Sequence, residues 1–316
     1  MRFGSTEITG RLGTKYSPGD TPGPVMKQKP FFTIVIPTYK RFDQLRECLH
    51  SISSLDYTRD DFEVVVVDDG SPSSPESIVE PFHGQFNLRL VIQPHAGPAT
   101  ARNRGVSEAS GAFIAFTDDD CMPAPDWLTR LRSRLDADPG SVIAGNTVNT
   151  LTDNPYSTAS QMLIDYLNAY YNKENARFLT SNNMALSKEV FTEIGGFDTT
   201  FPLAAAEDRE FCDRCVHFGL NTVFAPEAVV RHAHPLTLKR FIRQHYNYGR
   251  GANNFHRIRA ERTSEKIKIE PARFYVDLLL HPWKSKAGNK AYLAFLMFLS
   301  QAANAAGLFR EKLGNR

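Results

Sequence analysis

FTIVIPTYKRFDQLRECLHSISSLDYTRDDFEVVVVDDGS, residues 32–71, decides the architecture. Phe32 to Ile36 is a β-branched and aromatic run closed by Pro37, the form of a strand buried on both faces. Leu45, Cys48, Leu49 and Ile52 then recur at i, i+3, i+4 and i+7, one apolar stripe of a helix that can lie on a sheet. Phe62 to Val67 is a second buried strand and stops at Asp68-Asp69-Gly70-Ser71. Strand, helix, strand in this order is the unit from which a parallel sheet is built.

Outward from this unit, Leu88 to Ile92 is a third strand, Ala99 to Val106 a helix, and Ala112 to Phe116 a fourth strand ending in Asp118-Asp119-Asp120. The alternation predicts an α/β fold, a parallel sheet with helices on both faces. Ligands of such sheets sit outside the carboxyl ends of the strands. Chemistry should therefore gather where the first strand ends in Pro37-Thr38-Tyr39 and two others end in aspartates. Beyond Gly145 the pattern predicts a helix around Ser157 to Asn175, a strand-like Phe178 to Leu186, and a loop. It then predicts a helix from Glu207 to Phe218 with Phe211, Cys215 and Phe218 inward, and short strands near Val223 and Val229. This second half completes the same sheet and adds a wall to the site.

With 316 residues and 41% hydrophobic side chains the chain can fill a real core. A net charge of +2 gives no whole-chain reason to expect nucleic acid as a partner. Cys48, Cys121, Cys212 and Cys215 show no paired CxxC spacing and are expected as reduced core residues of a cytosolic protein. Residues 1–29 are rich in Gly, Pro, Ser and Thr without an apolar period, the composition of a flexible arm, and carry no export signal. Ala291 to Phe309 is mostly apolar but broken by Ser300, Gln301 and Asn304. It is expected as a helix packed on the domain or lying on a bilayer surface rather than a span of roughly 20 residues.

Three adjacent carboxylates repel one another unless a cation or solvent compensates. Asp118, Asp119 and Asp120 thus either hold a divalent metal, Mg²⁺ or Mn²⁺, or form a solvated acidic turn before the helix announced by Pro125-Asp126-Trp127. His232 and His234 share a face if their segment is extended, as a metal ligand pair or as a polar edge. Glu207-Asp208 opens a helix, where acidic residues answer the macrodipole or supply a general base. The stretch Lys239 to Arg250 is basic and aromatic, the composition of a basic surface helix. The residues alone leave each of these alternatives open.

Taken in order, several motifs resemble the GT-A-fold glycosyltransferases of family 2 over about Phe31 to Gly251. They are Ile34-Val35-Ile36-Pro37-Thr38-Tyr39, Val66-Val67-Asp68-Asp69-Gly70-Ser71, Ala101-Arg102-Asn103-Arg104-Gly105 and Phe116-Thr117-Asp118-Asp119-Asp120, followed by Gly195-Gly196-Phe197-Asp198, Glu207-Asp208 and His232 with His234. The resemblance implies a Rossmann-like mixed sheet with a C-terminal helical extension. Its parts would be the arm 1–29, a nucleotide-sugar-binding half 30–145, an acceptor and base half 146–265, and the extension 266–316. Pro37, Thr38 and Tyr39 would line the base pocket, Tyr39 against a uracil-like ring, with Asp69 accepting from the base and Arg102 and Asp119 near the nucleotide. Asp118 would face ribose and metal, Asp120 the metal, with His232 or His234 as a further ligand. Asp208 would be the catalytic base, with Glu207 as the other candidate. The 239–250 stretch resembles a segment that closes over the donor in some relatives.

The implied reaction is inverting single displacement from a nucleotide-sugar, UDP-sugar favoured, to a glycan or lipid-linked acceptor, assisted by Mg²⁺ or Mn²⁺. Cell-surface polysaccharide or glycolipid synthesis, in the cytoplasm or peripherally on the inner membrane face through the C-terminal helix, is the implied setting. Two rivals are a nucleotidyltransferase and a non-catalytic binding protein on the same fold. The first usually has a glycine-rich phosphate loop after the first strand, whereas Thr38-Tyr39-Lys40-Arg41 has no glycine. The second is expected to lose one of these acidic residues, and none is missing.

Overall fold

The computed structural model describes residues 29–314 apart from 173–175, 202, 204, 264–269 and 287, so all but the last residue of the predicted N-terminal arm lies outside the described residues. β1 (Phe32–Thr38), α1 (Phe42–Ser53) and β2 (Phe62–Asp68) form the opening unit, and both strands are buried along their whole length. The α1 stripe that faces the sheet is Leu45, Cys48, Leu49 and Ile52, as its spacing requires. The chain continues through α2 (Glu76–Val79), β3 (Asn87–Ile92), α3 (Pro98–Glu108) and β4 (Phe113–Thr117). It goes on with β5 (Cys121–Pro123), α4 (Trp127–Ala137), β6 (Val142–Asn149), α5 (Pro155–Tyr171), β7 (Asn183–Ser187) and α6 (Lys188–Ile194). α7 (Glu207–His217), β8 (Thr222–His232), α8 (Leu238–Thr263), α9 (Ala272–Leu280) and α10 (Lys290–Gly314) complete it.

The strands make one sheet in the order β3-β2-β1-β4-β7-β6-β8-β5. β3, β2, β1 and β4 are parallel, β7 is antiparallel to β4 and β6, and β8 is parallel to β6 and antiparallel to β5. The carboxyl ends of β1, β2, β4 and β8 therefore open on one edge, together with the start of β7. The fold is the expected mixed α/β sheet with a helical C-terminal extension.

Four details differ from expectation. β1 does not stop before Pro37 but runs to Thr38, with Pro37 opposite Val67 of β2. Its register with β4 ends at Val35 opposite Phe116, so Pro37 has a strand neighbour on one side and its missing N–H is tolerated. The two short strands near Val223 and Val229 are one strand, β8, whose pairing with β6 skips a step between Gly145 and Asn146. A β-carbon on Gly145 would lie 2.1 Å from the Ala228 carbonyl, so the bulge needs glycine there. Phe178 to Leu186 becomes strand only from Asn183, and the loop after it contains α6, which Ser187 caps by accepting from Val190 N at 3.0 Å. Phe218 is not inward: it follows the last turn of α7 and is 62% exposed, while Phe211 and Cys215 are fully buried. All four cysteines are free and buried, as expected.

Candidate active site

The β4–β5 turn carries the acidic triplet. Cys121 N donates to the Asp118 carbonyl at 3.1 Å, and Cys121 pairs with His232, which sets β8's carboxyl end beside the turn. The triplet is not a solvated turn: Asp119 and Asp120 are buried. Asp119 accepts from Thr38 Oγ1 at 2.8 Å, and its Oδ1 lies 2.7 Å from Arg41 Nη2. Arg41 Nη1 reaches Asp120 Oδ2 at 2.6 Å. His232 Nε2 lies 3.3 Å from Asp120 Oδ1 and His234 Nδ1 3.2 Å from Asp120 Oδ2, with the two rings stacked at 5.3 Å. Burial raises the Asp119 carboxyl to about 7 against the pull of Arg41. Burial would also raise Asp120, but Arg41 and the two imidazoles outweigh it and hold that carboxyl well below its usual range.

The donor atoms suit a divalent ion. Asp120, Cys121 and His232 each offer an atom within 4.8 Å of the others, and His234 approaches the same carboxylate from its other side. Carboxylate oxygen with imidazole nitrogen is a set that Mn²⁺ accepts readily, and Mg²⁺ through its oxygens. His234 is braced from behind, its Nε2 3.1 Å from Gln244 Oε1, while Gln244 donates to the Tyr248 hydroxyl at 2.7 Å.

Arg102 joins the triplet to the α7 acids. Buried on α3, it donates to Asp118 Oδ1 at 2.7 Å and to Glu207 Oε1 at 3.1 Å. Glu207 is almost fully enclosed, and burial with Asp208 beside it pushes its carboxyl up to about 7. Asp208 is only half-buried, accepts from Arg209 N at 2.7 Å, and is also raised by burial. No side chain caps α7: the residue before Glu207 is Ala206, at φ 73. The next residue of the chosen motif, Asn103, clamps the Gly195-Gly196-Phe197 turn by donating to Phe197 O at 2.8 Å and accepting from Phe197 N at 2.9 Å.

On the other side of the edge, Asp69 is tied down by protein. It accepts from Ala96 N and Gly97 N, both at 2.9 Å, and from Gln93 Nε2 at 2.7 Å, so it holds the loop that starts α3. His95 lies over Tyr39, ring to ring at 4.2 Å and nearly parallel, 16° apart. Pro37 is the last but one residue of β1, two positions before Tyr39. All the residues singled out from sequence thus lie along one edge, in three groups: Tyr39 with Asp69; Asp119 and Asp120 with Thr38, His232 and His234; and Asp118, Arg102, Glu207 and Asp208. Sequence reasoning does not single out Arg41, Gln93 or His95, and it reaches Gln244 only as part of the 239–250 stretch. For Arg41 a signal existed, a basic residue just past β1 facing three acids just past the neighbouring β4.

Comparison with known proteins fits this geometry. The family model described as "Glycosyl transferase family 2" matches residues 33–195. "Glycosyltransferase AglE" of Haloferax volcanii is 27% identical over 207 residues, which cover 64% of this chain and 67% of that protein. For other curated relatives the chain spans about half of their own length. Among solved structures, "Mannosyltransferase PcManGT from Pyrobaculum calidifontis in complex with GDP-Man and Mn2+" superposes with a TM-score of 0.60 at 22% identity, over 91% of this chain and 80% of that one. "S. aureus TarS 1-349 in complex with UDP-GlcNAc" superposes at 0.53 and 15% identity, over 90% and 92%. At these identities the structural likeness speaks for the shared fold.

Proposed function

The chain belongs to glycosyl transferase family 2, and on that premise we propose that it moves a sugar from a nucleoside-diphosphate donor to an acceptor hydroxyl by inverting, metal-assisted single displacement. The observation that carries this reading is Arg102, which bridges Asp118 of the triplet and Glu207 beside Asp208, so that a charge-neutralising group and a base candidate stand on one rigid link. Residues 30–145 would hold the nucleotide, with Tyr39 and His95 as the stacking platform for a base, and residues 146–265 would form the acceptor side. Asp118, Asp120, His232 and His234 would hold Mg²⁺ or Mn²⁺, which when bound supplies Lewis-acid stabilisation of the departing diphosphate. Asp208 would take the acceptor's proton during attack from the face opposite the leaving group. Its partial exposure favours it over Glu207, which is enclosed and committed to Arg102. Hydrolysis screening across UDP-, GDP- and dTDP-sugars, with Mn²⁺ and with EDTA, tests the reading. Loss of a UDP-sugar signal in EDTA and a product of inverted anomeric configuration are expected.

A lipid-linked acceptor is the reading that α10 favours. Its buried stripe is Leu293, Leu296, Met297, Ser300, Ala303 and Gly307, and Ser300 spends its hydroxyl on the Met297 carbonyl at 2.7 Å. The polar residues that break the apolar run therefore lie on or beside the packed side, whereas Phe295, Phe298, Phe309 and Leu313 recur along an outer face and are each more than half exposed. Trp283 and Leu280, 51% and 50% exposed, add to this surface from the segment before α10. An apolar stripe of this kind, ending in Arg310 and Lys312, suits the boundary layer of a cytoplasmic leaflet. Sedimentation with anionic liposomes should carry the protein down, and Phe295→Ser with Phe298→Ser should leave it in the supernatant. Equal sedimentation of both proteins would remove the membrane reading.

A further inference from the structure

We propose that Arg41 is the resident counter-cation of the Asp119–Asp120 pair, and that it yields this place to the divalent ion and turns to the diphosphate when the nucleotide arrives. The proposal rests on the metal reading above and goes beyond it, because it makes ion loading conditional on the nucleotide.

The geometry is that of a cation already seated. Arg41 grips Asp119 side-on, through Nη2 at 2.7 Å and Nε at 3.2 Å, and reaches Asp120 through Nη1 at 2.6 Å. The Asp120 oxygen it takes, Oδ2, is the one that His234 Nδ1 approaches at 3.2 Å. An ion held between Asp120 and His234 would compete with the guanidinium for this oxygen, and two positive charges drawn to one buried carboxylate repel each other. A guanidinium cannot solve this by losing its proton, since it stays charged in proteins. The Arg41 side chain is 39% exposed while those of Asp119 and Asp120 are 0% and 4%, so it closes the pair from the solvent side, where a ligand must enter.

Charge balance gives the exchange its direction. Asp119 and Asp120 can offset two positive charges, which Arg41 and a divalent ion together exceed. A diphosphate brings the missing negative charge, and its oxygens match the planar fork of arginine as well as a carboxylate does. The backbone allows the swing to remain local. Lys40, just before Arg41, sits in the left-handed region at φ 58. Among the described residues one other non-glycine does so, Ala206, just before Glu207. Strain of this kind collects at sites that change state.

Mn²⁺ binding followed by the free-ion paramagnetic resonance signal tests the proposal, on wild type, Arg41→Gln and Arg41→Lys, with no nucleotide, with UDP and with GDP. Arg41→Gln should bind Mn²⁺ alone about tenfold or more tightly than wild type. Adding the preferred nucleotide should tighten Mn²⁺ binding by a much larger factor in wild type than in Arg41→Gln. Arg41→Lys, which keeps the charge, should bind Mn²⁺ alone as weakly as wild type, and all three proteins should unfold cooperatively at similar temperature. If folded Arg41→Gln binds Mn²⁺ alone no better than wild type while both load it with nucleotide, the Arg41 proposal is overturned and the metal reading stands. If no protein binds Mn²⁺ under any of these conditions, both fall.

Discussion

Two acidic clusters face each other across the edge of this sheet, and they are built oppositely. Asp119 and Asp120 are surrounded by positive or polarisable groups, namely Arg41, His232 and His234. Glu207 and Asp208 share a single cation, Arg102, which also serves Asp118. The result is a divergence in proton affinity. Asp120, which Arg41 and both imidazoles reach, is held well below the usual carboxylate range, whereas Asp119, paired with Arg41 alone, and Glu207 are each lifted to about 7, and Asp208 is lifted as well. A carboxylate that stays ionised is suited to a metal. A raised carboxylate is suited to taking a proton near neutral pH. Burial is common to both clusters, so the cations that reach each carboxylate decide which role that carboxylate suits.

This contrast can be broken by mutation. Asp120→Ala should abolish transfer and weaken nucleotide binding, about tenfold or more, only when Mn²⁺ is present. Calorimetry with and without the ion checks this, and equal affinity of mutant and wild type in Mn²⁺ would end the metal role of the first cluster. Asp208→Asn should lower turnover roughly a hundredfold or more with donor binding nearly unchanged, and Glu207→Gln should do less. The reverse ranking in steady-state kinetics would transfer the base role to Glu207. The smallest effect sharpens the contrast rather than breaking it. Activity needs the base deprotonated, so it is lost as pH falls through a raised carboxyl pKa. Arg102 lowers that pKa, and Arg102→Gln should therefore move the acidic limb of the kcat profile further up in pH. An unmoved or down-shifted limb would show that Arg102 does not tune the base.

The opening β1–α1–β2 unit was legible because each of its signals is local. Four apolar positions define the buried face of α1, and two unbroken apolar runs define strands covered on both sides. β8 was not, because Pro226 and Glu227 punctuate it, and only pairing with β6 around a bulge shows that the chain stays extended. β5, with three residues, carries too little pattern to register as a strand at all. In the site, the acids and histidines announce themselves by residue type and crowding. Arg41 does not announce itself by type, since its partners lie 78 and 79 positions away; its mark is its place just past β1, beside the acids just past the neighbouring β4. α6 shows a signal that was present and unused: Ser187 at its start and Gly195, at φ 89, at its end are the punctuation of a short helix.

The crossing of α8 and α10 has a mechanical meaning. A β-carbon on Gly249 would fall 1.8 Å from the Asn304 carbonyl, and one on Gly307 would fall 1.9 Å from the Tyr246 carbonyl, so the two backbones touch with no side chain between them. Side chains are the soft spacers of a helix pair, and removing them makes the joint stiff. α8 in turn braces His234 through Gln244 and rests Gly251 against the carbonyl of Ala205, just ahead of the α7 acids. Close contacts therefore join α10 through α8 to both sides of the site edge, at His234 and just ahead of Glu207.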